Sequence, residues 1–203
     1  MIPEEKYPSR LLQDAVEALY SLPGVGKRSA LHLALHLLRQ PRENIHAFAS
    51  AIDRLAEEVK YCSECMMISD DDVCGICSDK TRDHDTICVV ESVRDVMKIE
   101  ETGQYHGVYH ILGGVISPIN GVSPSDLNIP QLISRVRPGQ EIILALGGNF
   151  EGETTSFYLY RQLESKGVKV STLARGLGFG DDLEYADLLT LGRSILGRQP
   201  FEP

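Results

Sequence analysis

The apolar positions change their period along the chain, and that change divides it. In "SRLLQDAVEALYSL" (residues 9–22), Leu11, Leu12, Ala15, Leu19 and Leu22 recur near the spacing of a helix, with Ser9 placed to cap its start. Pro23, Gly24 and Gly26 then break the pattern. It resumes in a second helix expected from near Ser29 and a third over roughly residues 44–61. In the second helix, Leu31, Leu35 and Leu38 form the sector expected to face the core. From Thr86 onward the apolar residues gather in short β-branched runs, "TICVVES", "VYHILGGV", "EIILALGG" and "VKVSTLA". Helical stretches, "VRDVMKIEET" and "TTSFYLYRQLESKG", separate some of them. Such alternation predicts a mainly parallel sheet with crossover helices. The final stretch, with "YADLLTLGRSILGR", predicts a terminal helix or arm. The fold class expected is therefore α+β and multidomain.

Composition adds limits. A chain of 203 residues, 42% hydrophobic, can bury a real core in one or two domains. "MIPEEKYPSR" lacks the apolar centre of a signal peptide, and no apolar run approaches the length that spans a membrane. The expectation is a soluble, cytoplasmic protein. The net charge of −9 is uneven: residues 1–60 carry 8 basic and 8 acidic side chains, and the remainder carries 12 against 21. Bulk charge gives no reason for nucleic-acid binding, so any such site must be local.

One stretch is local in that sense. "SLPGVGKRSALHLALHLLRQPR", residues 21–42, has no acid. Gly24 and Gly26 allow a tight turn with positive φ and leave backbone N–H groups open to an anion, at the positive end of the next helix. Lys27 and Arg28 lie at that end. Arg28, His32, His36 and Arg39 fall within about 80° of one another at about 100° per residue. This stripe suits a DNA backbone, which needs positive contacts without sequence information. An ordinary helical corner with a solvated face has the same composition.

The cysteines carry stronger chemistry. Cys62-x2-Cys65 and Cys74-x2-Cys77, eight residues apart, can each aim two sulfurs at one ion and together close a tetrahedral Zn²⁺ shell. Gly75 suits a knuckle turn. Disulfides or reactive thiols are the other readings; a cytosolic chain argues against the first, and two close pairs argue against the second. With four protein ligands the ion would be structural. Cys88, in "ICVV", reads as a buried strand residue. A third group is acidic: Glu91 ends the first strand, and Glu151 and Glu153 follow "EIILAL". Carboxylates past the strand ends of an open α/β sheet converge on its crevice, where they suit Mg²⁺ or lie solvated.

In order, the hairpin "LPGVGK", the four cysteines and "ICVVES … EGE" resemble the RecR family of bacterial recombination and repair proteins over nearly the whole chain. The resemblance implies a helix-hairpin-helix region at 1–60, a four-cysteine zinc finger at 61–80, an α/β Toprim domain at 86–181 and a C-terminal arm at 182–203. It further implies a homo-oligomeric ring, dimer or tetramer, that clamps double- and single-stranded DNA. With RecO and, in some bacteria, RecF, such a clamp helps RecA onto DNA covered by single-strand-binding protein. Family members are not known chiefly as enzymes. The family's basic residue after the hairpin falls on Arg28, with Lys27 an additional charge, and a further family arginine falls on His32. Catalytic Toprim domains carry Asp-x-Asp where this chain has Glu151-Gly152-Glu153. The competing reading is a Mg²⁺-dependent Toprim nuclease or topoisomerase-like enzyme using Glu91, Glu151 and Glu153.

Overall fold

A computed structural model describes residues 7–174, 176–177, 180, 182–198 and 200. The proposed Toprim boundary at Asp181 and the first six residues lie outside these. The chain separates into two compact units, Met1–Val59 and Lys60–Pro203.

The first unit is helical: α1 (Arg10–Tyr20), α2 (Lys27–Leu38) and α3 (Arg42–Glu58). Ser9 precedes α1, but it serves through its carbonyl, which accepts the Gln13 N–H at 3.1 Å, and its hydroxyl makes no cap. The core of the unit is small. Val16 of α1 meets Ala30 and Ala34 of α2, with Leu12, Leu19, Val25 and Leu31 half-buried around them. This corrects the face expected for α2. Leu35 and Leu38 are exposed, Leu38 at 74%, because two alanines let α1 and α2 approach closely and the wider leucine sector falls beside that contact. On α3, Phe48, Ile52 and Leu55 are also exposed.

The second unit opens with a short hairpin, β1 (Lys60–Tyr61) against β2 (Ile68–Ser69), and a one-turn helix α4 (Gly75–Ser78). There follow β3 (Asp83–Val90), α5 (Val93–Glu101), β4 (Gly107–Ile111), α6 (Ile129–Arg135), β5 (Glu141–Ala145), α7 (Phe150–Leu163), β6 (Lys169–Thr172) and α8 (Leu188–Leu196). Strands β4, β3, β5 and β6, in that order, make one parallel sheet, with Cys88 opposite Tyr109 on one side and Ile143 on the other. The last four residues of β3 are all buried, as a strand covered on both faces requires. Ile87 and Val89 point into a core with Leu132, Leu159 and Leu163 of α6 and α7. Cys88 and Val90 point the other way, to Val96 of α5 and to Met66 and Met67 of the cysteine element. Helix α5 starts on a capping box: the Asp95 carboxylate accepts the Ser92 N–H at 2.8 Å and its hydroxyl at 2.9 Å. Helix α6, which begins Ile-Pro and spans seven residues, was not evident from periodicity.

Candidate nucleic-acid interface and metal centre

The hairpin between α1 and α2 is closed by a 3.1 Å bond from the Val25 N–H to the Leu22 carbonyl. Gly24 sits at φ +82°, which a side chain disfavours. Gly26 does not share that conformation. At φ −77°, ψ 161° it is the extended N-cap of α2, its carbonyl accepting the Ala30 N–H at 2.9 Å, so the helix starts two residues earlier than expected. A Cβ at either glycine would meet no atom of the described residues beyond its chain neighbours within 4 Å. The turn therefore presents bare backbone to solvent at the amino end of a helix without acids in its first turn. Lys27, Arg28, His32, His36 and Arg39 are all exposed, and the Lys27 ammonium lies 5.9 Å from the centre of the Tyr20 ring.

The four cysteines come together. Their sulfurs lie within 4.8 Å of one another, all four residues are buried, and they are the group among the described residues able to hold a metal ion. The Cys65 and Cys74 sulfurs are 3.6 Å apart, against about 3.8 Å for the edge of a tetrahedron with zinc–sulfur bonds of about 2.3 Å. The first knuckle is tied by Cys62 N–H to Met67 O at 2.7 Å and Met66 N–H to Cys62 O at 3.0 Å. Its left-handed residue is Met66, at φ 63°. Gly75 is needed for no such turn, since it begins α4 and a Cβ there would meet no neighbouring atom among the described residues within 4 Å. Hydrogen bonding from Cys77, and then the Met67 peptide, lowers Cys65 to about 6. Burial raises Cys74 to about 11, and the hydrogen bond to Cys65 pushes Cys77 upward. A divalent cation supplies the charge these crowded sulfurs lack, so the donor set fits structural zinc. Cys88 is a buried strand residue as expected, pushed up to about 12 by burial.

The acids stand differently from the sequence expectation. Glu91 does follow β3, and its Oε1 accepts the Gly147 N–H at 2.7 Å. Glu151 and Glu153 lie not in a loop but in the first turn of α7, where Asn149 caps the helix by accepting the Gly152 N–H at 2.8 Å. The carboxylate of Glu151 accepts the Ser117 hydroxyl, and that of Glu153 pairs with Arg193 of α8. Gly152 is required here, because a Cβ would stand 2.2 Å from the Gly147 carbonyl oxygen. Each of the three acids thus already has a donor from the protein. Ser117 and Arg193 were not singled out in the sequence; they reach the acids from 34 and 40 residues away.

Comparison with known proteins adds the family. The helix-hairpin-helix family of RecR matches residues 12–56, its four-cysteine zinc finger domain 59–79, the Toprim domain 85–174 and the RecR C-terminal family 176–199. Proteins called recombination protein RecR are similar over 97% of this chain. That of Porphyromonas gingivalis is 57% identical across 96% of its own length. Those of Flavobacterium johnsoniae and Bacteroides thetaiotaomicron are 53% and 54% identical, each across 97% of theirs. This chain belongs to the RecR family. The helical unit is thus the RecR helix-hairpin-helix region, the cysteine cluster its zinc finger, and the four-stranded sheet its Toprim domain. No helix among the described residues is long and apolar enough to cross a membrane.

Proposed function

We propose that this RecR family member is a DNA-binding clamp and mediator of recombinational repair in the cytoplasm, and not an enzyme. The observation that carries the reading is the hairpin: a bare turn at Gly24 and Gly26 beside exposed Lys27 and Arg28, continued along α2 by His32 and Arg39. Backbone N–H groups and cations at a helix amino end hold phosphates without reading sequence. One such patch is weak. A homo-oligomeric ring, dimer or tetramer, sets several copies around one double- or single-stranded DNA and gains affinity through effective concentration. The acidic remainder of the chain keeps DNA to the patch and offers surface to protein partners. RecO, with RecF where present, is the partner in this proposal, and the outcome is RecA loading on DNA covered by single-strand-binding protein.

The enzyme reading places Mg²⁺ on Glu91, Glu151 and Glu153. Against it stand the donors each already has: the Gly147 N–H, the Ser117 hydroxyl and Arg193. Incubation with labelled DNA and Mg²⁺ separates the two readings. The clamp leaves the strands intact and retains its DNA affinity in Glu151→Gln. Mg²⁺-dependent nicking that disappears in that variant would establish the enzyme.

A further inference from the structure

At the end of the sheet opposite Glu91, a cavity of about 360 Å³ is lined by Glu64, His84, Ile87, Arg135, Arg137 and Gln140. It lies where the first zinc knuckle, the start of β3 and the α6–β5 connection meet. The frame is tied. The Gln140 side chain donates to the His84 carbonyl at 2.9 Å and accepts the Arg137 N–H at 2.7 Å, and Gln140 is only 3% exposed. Arg135, whose side chain is 17% exposed, gives one N–H to the Tyr109 carbonyl at 2.8 Å. Its nearest carboxylate, on Glu64, is 3.9 Å away, beyond hydrogen-bond reach. Arg137 differs: its side chain is 68% exposed, and the Asp85 carboxylate is 3.9 Å away.

A guanidinium carries five donors, and one largely withdrawn from water with a single hydrogen bond is incompletely satisfied. Arg135 is so placed; exposed Arg137 lines the same cavity, and guanidinium forks match a tetrahedral oxyanion. Glu64 and Asp85 oppose an anion, but both pairs are long, and the Glu64 and Asp85 side chains are 48% and 80% exposed, free to turn to solvent. The geometry points to a second anion site, in which Arg135 and Arg137 bind the phosphate group of a small phosphorylated ligand. The cavity is larger than a phosphate alone and falls in the range of small-ligand pockets. The site shares no residue with the hairpin or the Toprim acids.

Isothermal titration of the zinc-loaded full chain with inorganic phosphate, deoxyadenosine monophosphate and deoxyadenosine tests this. Saturable binding of phosphate and the monophosphate is expected, with none of the nucleoside. Tighter binding of the monophosphate identifies a nucleotide as the ligand; equal binding identifies free phosphate. Arg137→Glu, on an exposed side chain, should weaken binding about tenfold or more with zinc content and circular dichroism unchanged. Arg135→Lys, which keeps the charge and loses the fork, should weaken it too. A Lys27→Ala/Arg28→Ala double variant should bind as the parent does. Absence of saturable binding, full binding in Arg137→Glu, or loss of binding in the hairpin double variant would each overturn the site.

Discussion

The carbonyl oxygen of Cys65 accepts the Ile111 N–H at 2.9 Å, so the first zinc knuckle adds a rung to the open edge of the Toprim sheet. Met66 and Met67, beside that cysteine, pack on the cluster formed by Cys88, Val90, Val96, Tyr109 and Ile111. The metal element is therefore part of the sheet's covering layer, on the same face as α5. Zinc bound at the knuckle would, through this bond, also hold the edge strand β4.

Cys65→Ser should lose the zinc, since structural ion binding is worth on the order of 10 kcal/mol to a small site. The loss should spread beyond residues 62–77. Hydrogen exchange at Ile111 should accelerate strongly, while amides of β5, further inside the sheet, change less. Elemental analysis should give one zinc per chain in the parent and none in the variant. Unchanged protection at Ile111 would separate the knuckle from the sheet.

Gly152→Ala tests the approach of α7 to the Gly147 backbone. The new Cβ would lie 2.2 Å from the Gly147 oxygen and 2.9 Å from its carbon, both backbone atoms without a rotamer to yield. A cost of about 3 kcal/mol is expected, the upper part of the range for overpacking, seen as a melting temperature lower by roughly 10 °C. Near-parent stability would mean that the first turn of α7 can shift freely.

Arg82 and Glu100 give a pH dependence with a definite sign. The Arg82 guanidinium beside Glu100, then the Tyr109 hydroxyl, holds this carboxyl below its ordinary 4.5. A lowered folded value contributes stability above the unfolded value, lost as pH falls through the folded one. Glu100→Gln should therefore cost about 1–2 kcal/mol at neutral pH. The gap from the parent should narrow as pH falls toward about 3, in urea unfolding followed at both values. A gap that is constant with pH would assign the loss to packing alone.

Much of the fold was legible because its signals are local. Two Cys-x2-Cys pairs fix their own geometry, and a strand buried on both faces, such as Ile87–Val90, reads as a continuous apolar run. What was not legible depends on distant neighbours. Leucines outweigh alanines in any apolar pattern, yet Ala30 and Ala34 make the core contact of α2 because small residues let α1 approach. Glu151 and Glu153 read as loop acids after a strand, and only the Asn149 cap puts them on a helix. The left-handed knuckle position fell on Met66, where no glycine marks it.

The central claim is that the hairpin after α1 holds DNA phosphates, and a salt titration of fluorescence anisotropy on duplex and single-stranded oligonucleotides tests it most directly. Each phosphate contact removed lowers the slope of log K against log salt by about 0.9 on duplex. Lys27→Ala/Arg28→Ala should flatten that slope by up to about two units per engaged subunit, alike for all sequences, with far-ultraviolet circular dichroism unchanged. Retention of the parent's slope and affinity in the double variant would make the hairpin a structural corner and place the DNA surface elsewhere.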